Sequence, residues 1–132
     1  MERLKEIAKK LDVYRVKLVI LFGSRARGDY TDESDIDLLV VADNLPNDPR
    51  EAYEAIRKLI EDSKIHPICL KTNSFIKKLE NESTFIMEII EDGKIIYANE
   101  TFLEKTMAKY KEIRKRWIRK GKTWEKITRQ TQ

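Results

Sequence analysis

VKLVILFGSRARGDYTDESDIDLLVVA, residues 16–42, decides the fold. It opens with a short apolar run, 16–23, that ends at Gly23 and reads as a buried strand. It closes with a second run, in which Leu38, Leu39, Val40 and Val41 are apolar without alternation. A strand covered on both faces has that pattern. Between the two lies a polar connection that carries most of the chemistry. Gly23 and Ser24 follow the first strand directly, so backbone N–H groups there can converge on an anion. A helical turn starting near Ser24 would add a positive dipole end. The Ser24 hydroxyl can donate to a phosphate oxygen, and Arg25 and Arg27 can neutralise further phosphate charge.

Asp35 and Asp37 supply the complementary half. Residues two apart on a strand point to the same side. Their carboxylates repel each other unless a cation lies between them. At that spacing they can converge on one Mg²⁺, or on two ions. A phosphate cradle and a divalent-metal site therefore fall on neighbouring strand ends. Asp29, Asp32 and Glu33 read as solvated loop charges.

The rest of the chain supports one domain. It has 132 residues, 41% of them apolar, which suits a single modest core. Residues 2–12 read as a helix with Leu4, Ile7, Ala8 and Leu11 on one face. Asp48, Pro49 and Glu51 begin a second helix, with Asp48 as cap. KIHPICLK, 64–71, is a third strand, and Pro67 places it at an edge or a bulge. Thr72 or Asn73 caps a short helix, Ser83 caps another that Gly93 stops, and KIIYA, 94–98, is a fourth strand. The expected architecture is α/β (α+β): a small mixed sheet, helices mainly on one face, and a basic C-terminal helix.

That last segment differs in charge from the body. Residues 100–132 carry eleven Lys/Arg against four Asp/Glu, whereas residues 1–99 carry sixteen against nineteen. Leu103, Met107, Tyr110, Ile113 and Trp117 form one stripe, so the spacing predicts a helix from Thr101 to Lys120, broken at Gly121. TWEKITRQTQ adds a final turn or frays. Three readings of the tail stay open. It packs on the body through its stripe, it docks a partner through Tyr110, Trp117 and Trp124, or it binds a polyanion such as RNA or DNA.

Cys69 is the single cysteine and sits in an apolar run, which reads as a buried thiol in a reducing, cytoplasmic setting. One Cys and one His exclude a zinc ribbon or finger. MERLKEIAKK lacks a signal core, and no apolar run reaches the roughly 18 residues of a membrane span.

GSRARGDYTDESDIDLLV, 23–40, resembles the G-S-x-A-R-G…S-D-x-D-L signature of the DNA polymerase beta nucleotidyltransferase superfamily. It is most similar to the minimal nucleotidyltransferases, which are often paired with a HEPN-domain partner. FIMEIIEDGKIIYAN, 85–99, looks like that family's closing helix and strand. The resemblance spans residues 1–99 and leaves 100–132 as a basic helical extension. It implies that Gly23 and Ser24 bind the triphosphate, with Arg27 the better placed of the two arginines. It implies that Asp35 and Asp37 hold Mg²⁺ or Mn²⁺. The implied activity is transfer of a nucleoside monophosphate, AMP from ATP, to a hydroxyl such as a tyrosine of a HEPN toxin.

One position departs from the family pattern. The superfamily's third carboxylate comes from the strand after the connecting helix, where this chain has His66, followed by Pro67. No acid lies between Asp62 and Glu80. A neutral imidazole can accept a proton near neutral pH, and as a ligand it suits Mn²⁺ or Zn²⁺ better than Mg²⁺. A register shifted by one residue would put Pro67 there, which can do neither. The competing readings are a catalytically reduced member that binds nucleotide or a partner, and a nucleic-acid-binding accessory subunit. Homo-oligomer formation is open.

Overall fold

A computed structural model describes residues 1–128. The elements run α1 (Glu2–Lys10), a 3₁₀ turn (Leu11–Tyr14), β1 (Val16–Phe22), α2 (Ser24–Arg27), β2 (Ile36–Ala42), α3 (Pro49–Ile60), β3 (Ile65–Lys71), α4 (Thr72–Glu80), α5 (Thr84–Asp92), β4 (Lys94–Ala98), α6 (Glu100–Arg114), β5 (Trp117–Lys120) and β6 (Thr123–Lys126). Four strands form one sheet in the order β3-β2-β1-β4. β1 is antiparallel to β2 and β4, and β2 is parallel to β3, so the sheet is mixed as expected. The parallel pair needs a crossover, and α3 provides it.

The side chains of β1 and β2 alternate between two separate cores. Val19, Leu21, Leu38 and Val40 join residues of α1 and α3, including Leu4, Ile7 and Ile56. Leu18, Ile20, Leu39 and Val41 join Phe75, Met87 and Tyr110 of α4, α5 and α6. Helices therefore cover both faces, not mainly one. The reason was visible in the non-alternating runs, since an apolar residue at every position needs a cover on each side. β3 is an edge strand, and its outer side tolerates Pro67, which pairs with Leu38.

Most predicted caps are present. Asp48 accepts the Arg50 N–H at 2.9 Å with Pro49 in the first turn, and Ser83 accepts the Ile86 N–H at 3.3 Å. The cap of α4 differs: Lys71 holds that position without a side-chain bond. Thr72 lies inside the helix and donates its hydroxyl to Asp43, which removes it from capping.

The tail departs most from expectation. Helix α6 stops at Arg114, and residues 117–126 form a β-hairpin instead of more helix and a frayed end. The Arg114 guanidinium donates to the Trp117 carbonyl at 2.7 Å and turns the chain. Trp117 belongs to the predicted helical stripe, but it reaches the same core from a strand. Tyr110 and Ile113 are buried, and Trp117 and Trp124 pack against that core, so the aromatic residues anchor the tail to its own body.

Charge completes the docking. Arg119 donates to both carboxylate oxygens of Asp92 at 2.7 Å, and also to Glu88 and Glu91. Glu82 accepts from the Trp117 indole and from Lys126, both at 2.9 Å. Trp124 lies under the guanidinium groups of Arg114 and Arg119, 4.9 and 5.0 Å from its ring centre. The basic tail thus faces the acidic side of α5.

Glu91 sits at the centre of this network. Burial alone would raise its pKa, but hydrogen bonds from Tyr110, Arg114 and Arg119 outweigh burial and hold it at about 2. An acid whose folded pKa is depressed adds stability above its unfolded value, here 4.5. That stability is lost as the pH falls from there toward about 2. We expect a contribution of about 2 kcal/mol, since the side chain keeps some solvent contact. Urea unfolding of wild type and Glu91→Gln between pH 6 and about 2.5 checks it. The wild-type advantage should shrink steadily below about pH 4.5. Parallel curves would locate the acid-sensitive stability elsewhere.

Candidate active site

The site forms where β1 ends and β2 begins. Phe22 pairs with Asp37 across the antiparallel ladder, so the turn after β1 starts beside that carboxylate. Gly23 has φ 77° and ψ −155°, a conformation that essentially only glycine adopts. A Cβ on Gly23 would run into the Asp37 carboxylate. The missing side chain lets Asp37 lie directly against the turn that leads into Ser24. Helix α2 follows as a single turn, with the Ala26 and Arg27 amides both donating to the Gly23 carbonyl at 3.1 Å. The amides at the very start of such a turn have no helical partner.

Asp37 lies in β2, on the side that Leu39 and Val41 turn toward α4, α5 and α6, and Asp35 stands one residue before the strand. Across the parallel ladder Asp37 is paired with His66, and Pro67 is paired with Leu38. His66 Nε2 lies 3.3 Å from Asp35 Oδ1. Both side chains are about half exposed or more, at 49% and 64%, so solvent and substrate can reach them. Asp37 is the more enclosed. Burial raises its pKa, His66 and Arg27 work to lower it, and Asp35 adds to the rise.

The two arginines separate. Arg27 borders the same cleft as Gly23, acts electrostatically on Asp37, and makes an exposed contact with Asp29 at 3.3 Å. Arg25 turns the other way. It donates to the carbonyls of Ser34 and Asp32 and stacks over Tyr30, 4.4 Å from the ring centre. Arg25 therefore braces the 28–34 loop that returns the chain to β2. A cavity of about 570 Å³ lies on that back side, bordered by Leu4, Leu21, Arg25, Tyr30 and Ile36, away from the carboxylates.

The donor set fits a hard divalent cation. Asp35 acts on the Asp37 charge from nearby, and the His66 imidazole lies beside Asp35. Among the described residues no group of three or more His, Cys, Asp or Glu side chains is placed to hold a metal ion, so a cation here would rest on the two carboxylates and on ligands from outside the protein. Mg²⁺ characteristically takes one or two carboxylates and completes its shell with substrate phosphates and water. A serine turn next to the carboxylates supplies a place for those phosphates.

Sequence reasoning did not point to Phe85, Glu88, Asp92 or Lys122, which border the cleft beside Gly23 together with Phe22 and Arg27. Phe22 and Phe85 meet edge to face, 5.9 Å between ring centres. The helical period marked Phe85 as core, but it is 49% exposed and lies at the mouth of the cleft.

The profile of the nucleotidyltransferase domain matches residues 1–97, and the chain belongs to that family. It is 32% identical over 117 residues to "Putative protein adenylyltransferase MJ1305" of Methanocaldococcus jannaschii, covering 81% of this chain and 78% of that protein. It is 39% identical over 85 residues to MJ0604 of the same organism, which carries the same designation, covering 63% of this chain and 80% of that protein. Among solved structures, one of a toxin–antitoxin with AMP-PNP matches with a TM-score of 0.52 at 22% identity, over 87% of this chain and 91% of that one. A "putative nucleotidyltransferase" from Sulfolobus solfataricus matches with a TM-score of 0.53 at 24% identity, over 75% and 80%. These structural likenesses concern the fold. No helix among the described residues is long and apolar enough to cross a membrane.

Proposed function

We propose that this protein is a metal-dependent nucleotidyltransferase that moves AMP from ATP to a hydroxyl on a protein. The observation that carries the reading is the close approach of Asp37 to the Gly23–Ser24 turn, with His66 opposite it on the ladder and 3.3 Å from Asp35. The relatives named as protein adenylyltransferases support AMP as the group and a protein as acceptor. The resemblance to the minimal nucleotidyltransferases makes a tyrosine of a HEPN-domain toxin the acceptor to test first.

In this reading Gly23 and Ser24 seat the triphosphate through backbone amides and the hydroxyl, and Arg27 adds a positive charge. Asp35 and Asp37 hold Mg²⁺ or Mn²⁺, which when bound neutralises phosphate charge and lowers the pKa of the attacking hydroxyl. The acceptor oxygen bonds to the α-phosphorus while the bond from that phosphorus to the bridging oxygen breaks. Pyrophosphate leaves, and the acceptor's proton goes to a base. His66 is the candidate base: its ring lies beside Asp35, 3.3 Å from Nε2 to Oδ1, and an imidazole nitrogen can accept a proton.

The test incubates the chain with α-labelled ATP, Mg²⁺ or Mn²⁺, and the protein encoded by its neighbouring gene, with a HEPN-domain toxin as second acceptor. Label should appear on the partner with wild type and vanish with Asp35→Ala/Asp37→Ala. No transfer under any of these conditions would refute the enzymatic reading. His66→Ala should lower the rate by about 10² while leaving ATP affinity within about twofold. An unchanged rate would confine His66 to its contact with Asp35.

The absence of a third carboxylate at the His66 position favours one other reading, a member that binds ATP with metal but forms no product. Calorimetry beside the transfer assay separates the two. The polyanion reading of the tail has less support, because Lys109, Arg114, Arg116, Arg119 and Lys126 each face a carboxylate.

A further inference from the structure

We infer that Lys122, from the C-terminal hairpin, binds the polyphosphate of the nucleotide. The inference rests on the nucleotidyltransferase reading above and adds a residue from outside the 1–97 family region.

Lys120 pairs with Thr123, so Gly121 and Lys122 form a two-residue hairpin loop. Gly121 has φ +61°, which such tight loops require. The loop is therefore short and held at both ends. Its strands are fixed in turn. Arg119 grips Glu88, Glu91 and Asp92 on α5, and Trp124 packs against the second core. This places Lys122 on the wall of a cleft of about 200 Å³ that also contains Gly23 and Arg27.

The charge balance of that cleft is the decisive feature. Glu88 and Asp92 line it, but the Arg119 guanidinium holds both, at 3.1 and 2.7 Å. Lys122 makes no ion pair among the described residues and its side chain is exposed. Arg27 has only its exposed contact with Asp29. Arg27 and Lys122 thus border one space together with Gly23. A lysine ammonium is a flexible point charge suited to phosphate oxygens. A ligand carrying several negative charges next to Gly23 satisfies both cations.

Calorimetric titration with Mg²⁺ and a non-hydrolysable ATP analogue tests this, with AMP as the second ligand. Lys122→Met should weaken binding of the triphosphate about tenfold and leave AMP binding unchanged. Lys122→Arg should restore most of the loss, and Lys120→Met, one step away on the exposed side of the hairpin, should bind as wild type. Wild-type affinity in Lys122→Met would overturn the inference and leave the nucleotidyltransferase reading intact. An equal loss for AMP would overturn it as well, because the contact would then not be with the polyphosphate. Failure of the wild-type protein to bind the triphosphate would remove both readings together.

Discussion

Asp37→Asn should lower AMP transfer by on the order of 10³ while leaving the protein as stable as wild type or slightly more so. The two halves of this expectation come from the same physics. Asparagine keeps the shape of the side chain and one oxygen, but it removes the charge that draws a divalent cation to the strand end. Loss of a metal's charge stabilisation is worth several kcal/mol of barrier, and about 4 kcal/mol corresponds to that factor. Stability moves the other way. Burial, and the neighbouring Asp35, raise the Asp37 pKa in the folded protein, although His66 and Arg27 oppose the rise. A carboxyl whose folded pKa lies above its unfolded value is disfavoured in its charged form by folding. Above that folded pKa the carboxylate costs stability, and the cost disappears as the pH falls through it. Replacing it with a neutral group therefore relieves the fold at neutral pH. Thermal unfolding and the transfer assay on one preparation check both halves. A variant that lost activity only in proportion to lost fold would make Asp37 structural. Retained activity would remove the carboxylate from the chemistry altogether.

The parts of this site that were legible in the sequence are those fixed by local spacing. Asp37 opens the apolar run of β2, and Asp35, one residue before the strand, is close enough to act on its charge. Gly23 and Ser24 follow an unmistakable apolar strand, and the turn falls where that strand ends. Other features depend on contacts made at a distance. The choice between His66 and Pro67 hung on one residue of register, set by how α3 and its loops return the chain to β3. The parallel ladder places His66 opposite Asp37. Arg25 and Arg27 looked alike as phosphate ligands. They diverge because residues two apart on a helical turn point in different directions, and only Arg25 meets the carbonyls of the returning loop.

The tail shows a different failure. Trp117 fits a helical stripe with Tyr110 and Ile113, and helical periodicity alone carried the reading to Lys120. The same residues also read as two short strands around Gly121–Lys122. What selects the hairpin is an acidic surface distant in sequence: Glu88, Glu91 and Asp92 of α5 meet Arg119, and Glu82, in the turn before α5, meets the Trp117 indole. A residue of that hairpin, Lys122, then enters the cleft, and no local signal could have placed it there.

Gly23→Ala should reduce transfer by about 10² or more, whereas Gly28→Ala should leave it within a few-fold of wild type. Both glycines have positive φ, 77° and 89°, so alanine strains the backbone at each. That shared cost is on the order of 1–3 kcal/mol and tells nothing about the site. The space around them differs. A Cβ at Gly28 meets nothing within 4 Å, while a Cβ at Gly23 collides with the Asp37 carboxylate. Since Phe22 is paired to Asp37, the backbone there has little freedom to yield, and the carboxylate must swing away from the turn. Swinging it separates the metal-binding half of the site from the phosphate-binding half, and displacements of about 1 Å in such assemblies cost about 10² in rate. Measuring kcat for both variants, with unfolding midpoints to show comparable destabilisation, isolates the geometric effect. Equal losses would mean that the turn's conformation alone matters, and that the close approach of Asp37 to Gly23 does not set the reaction geometry.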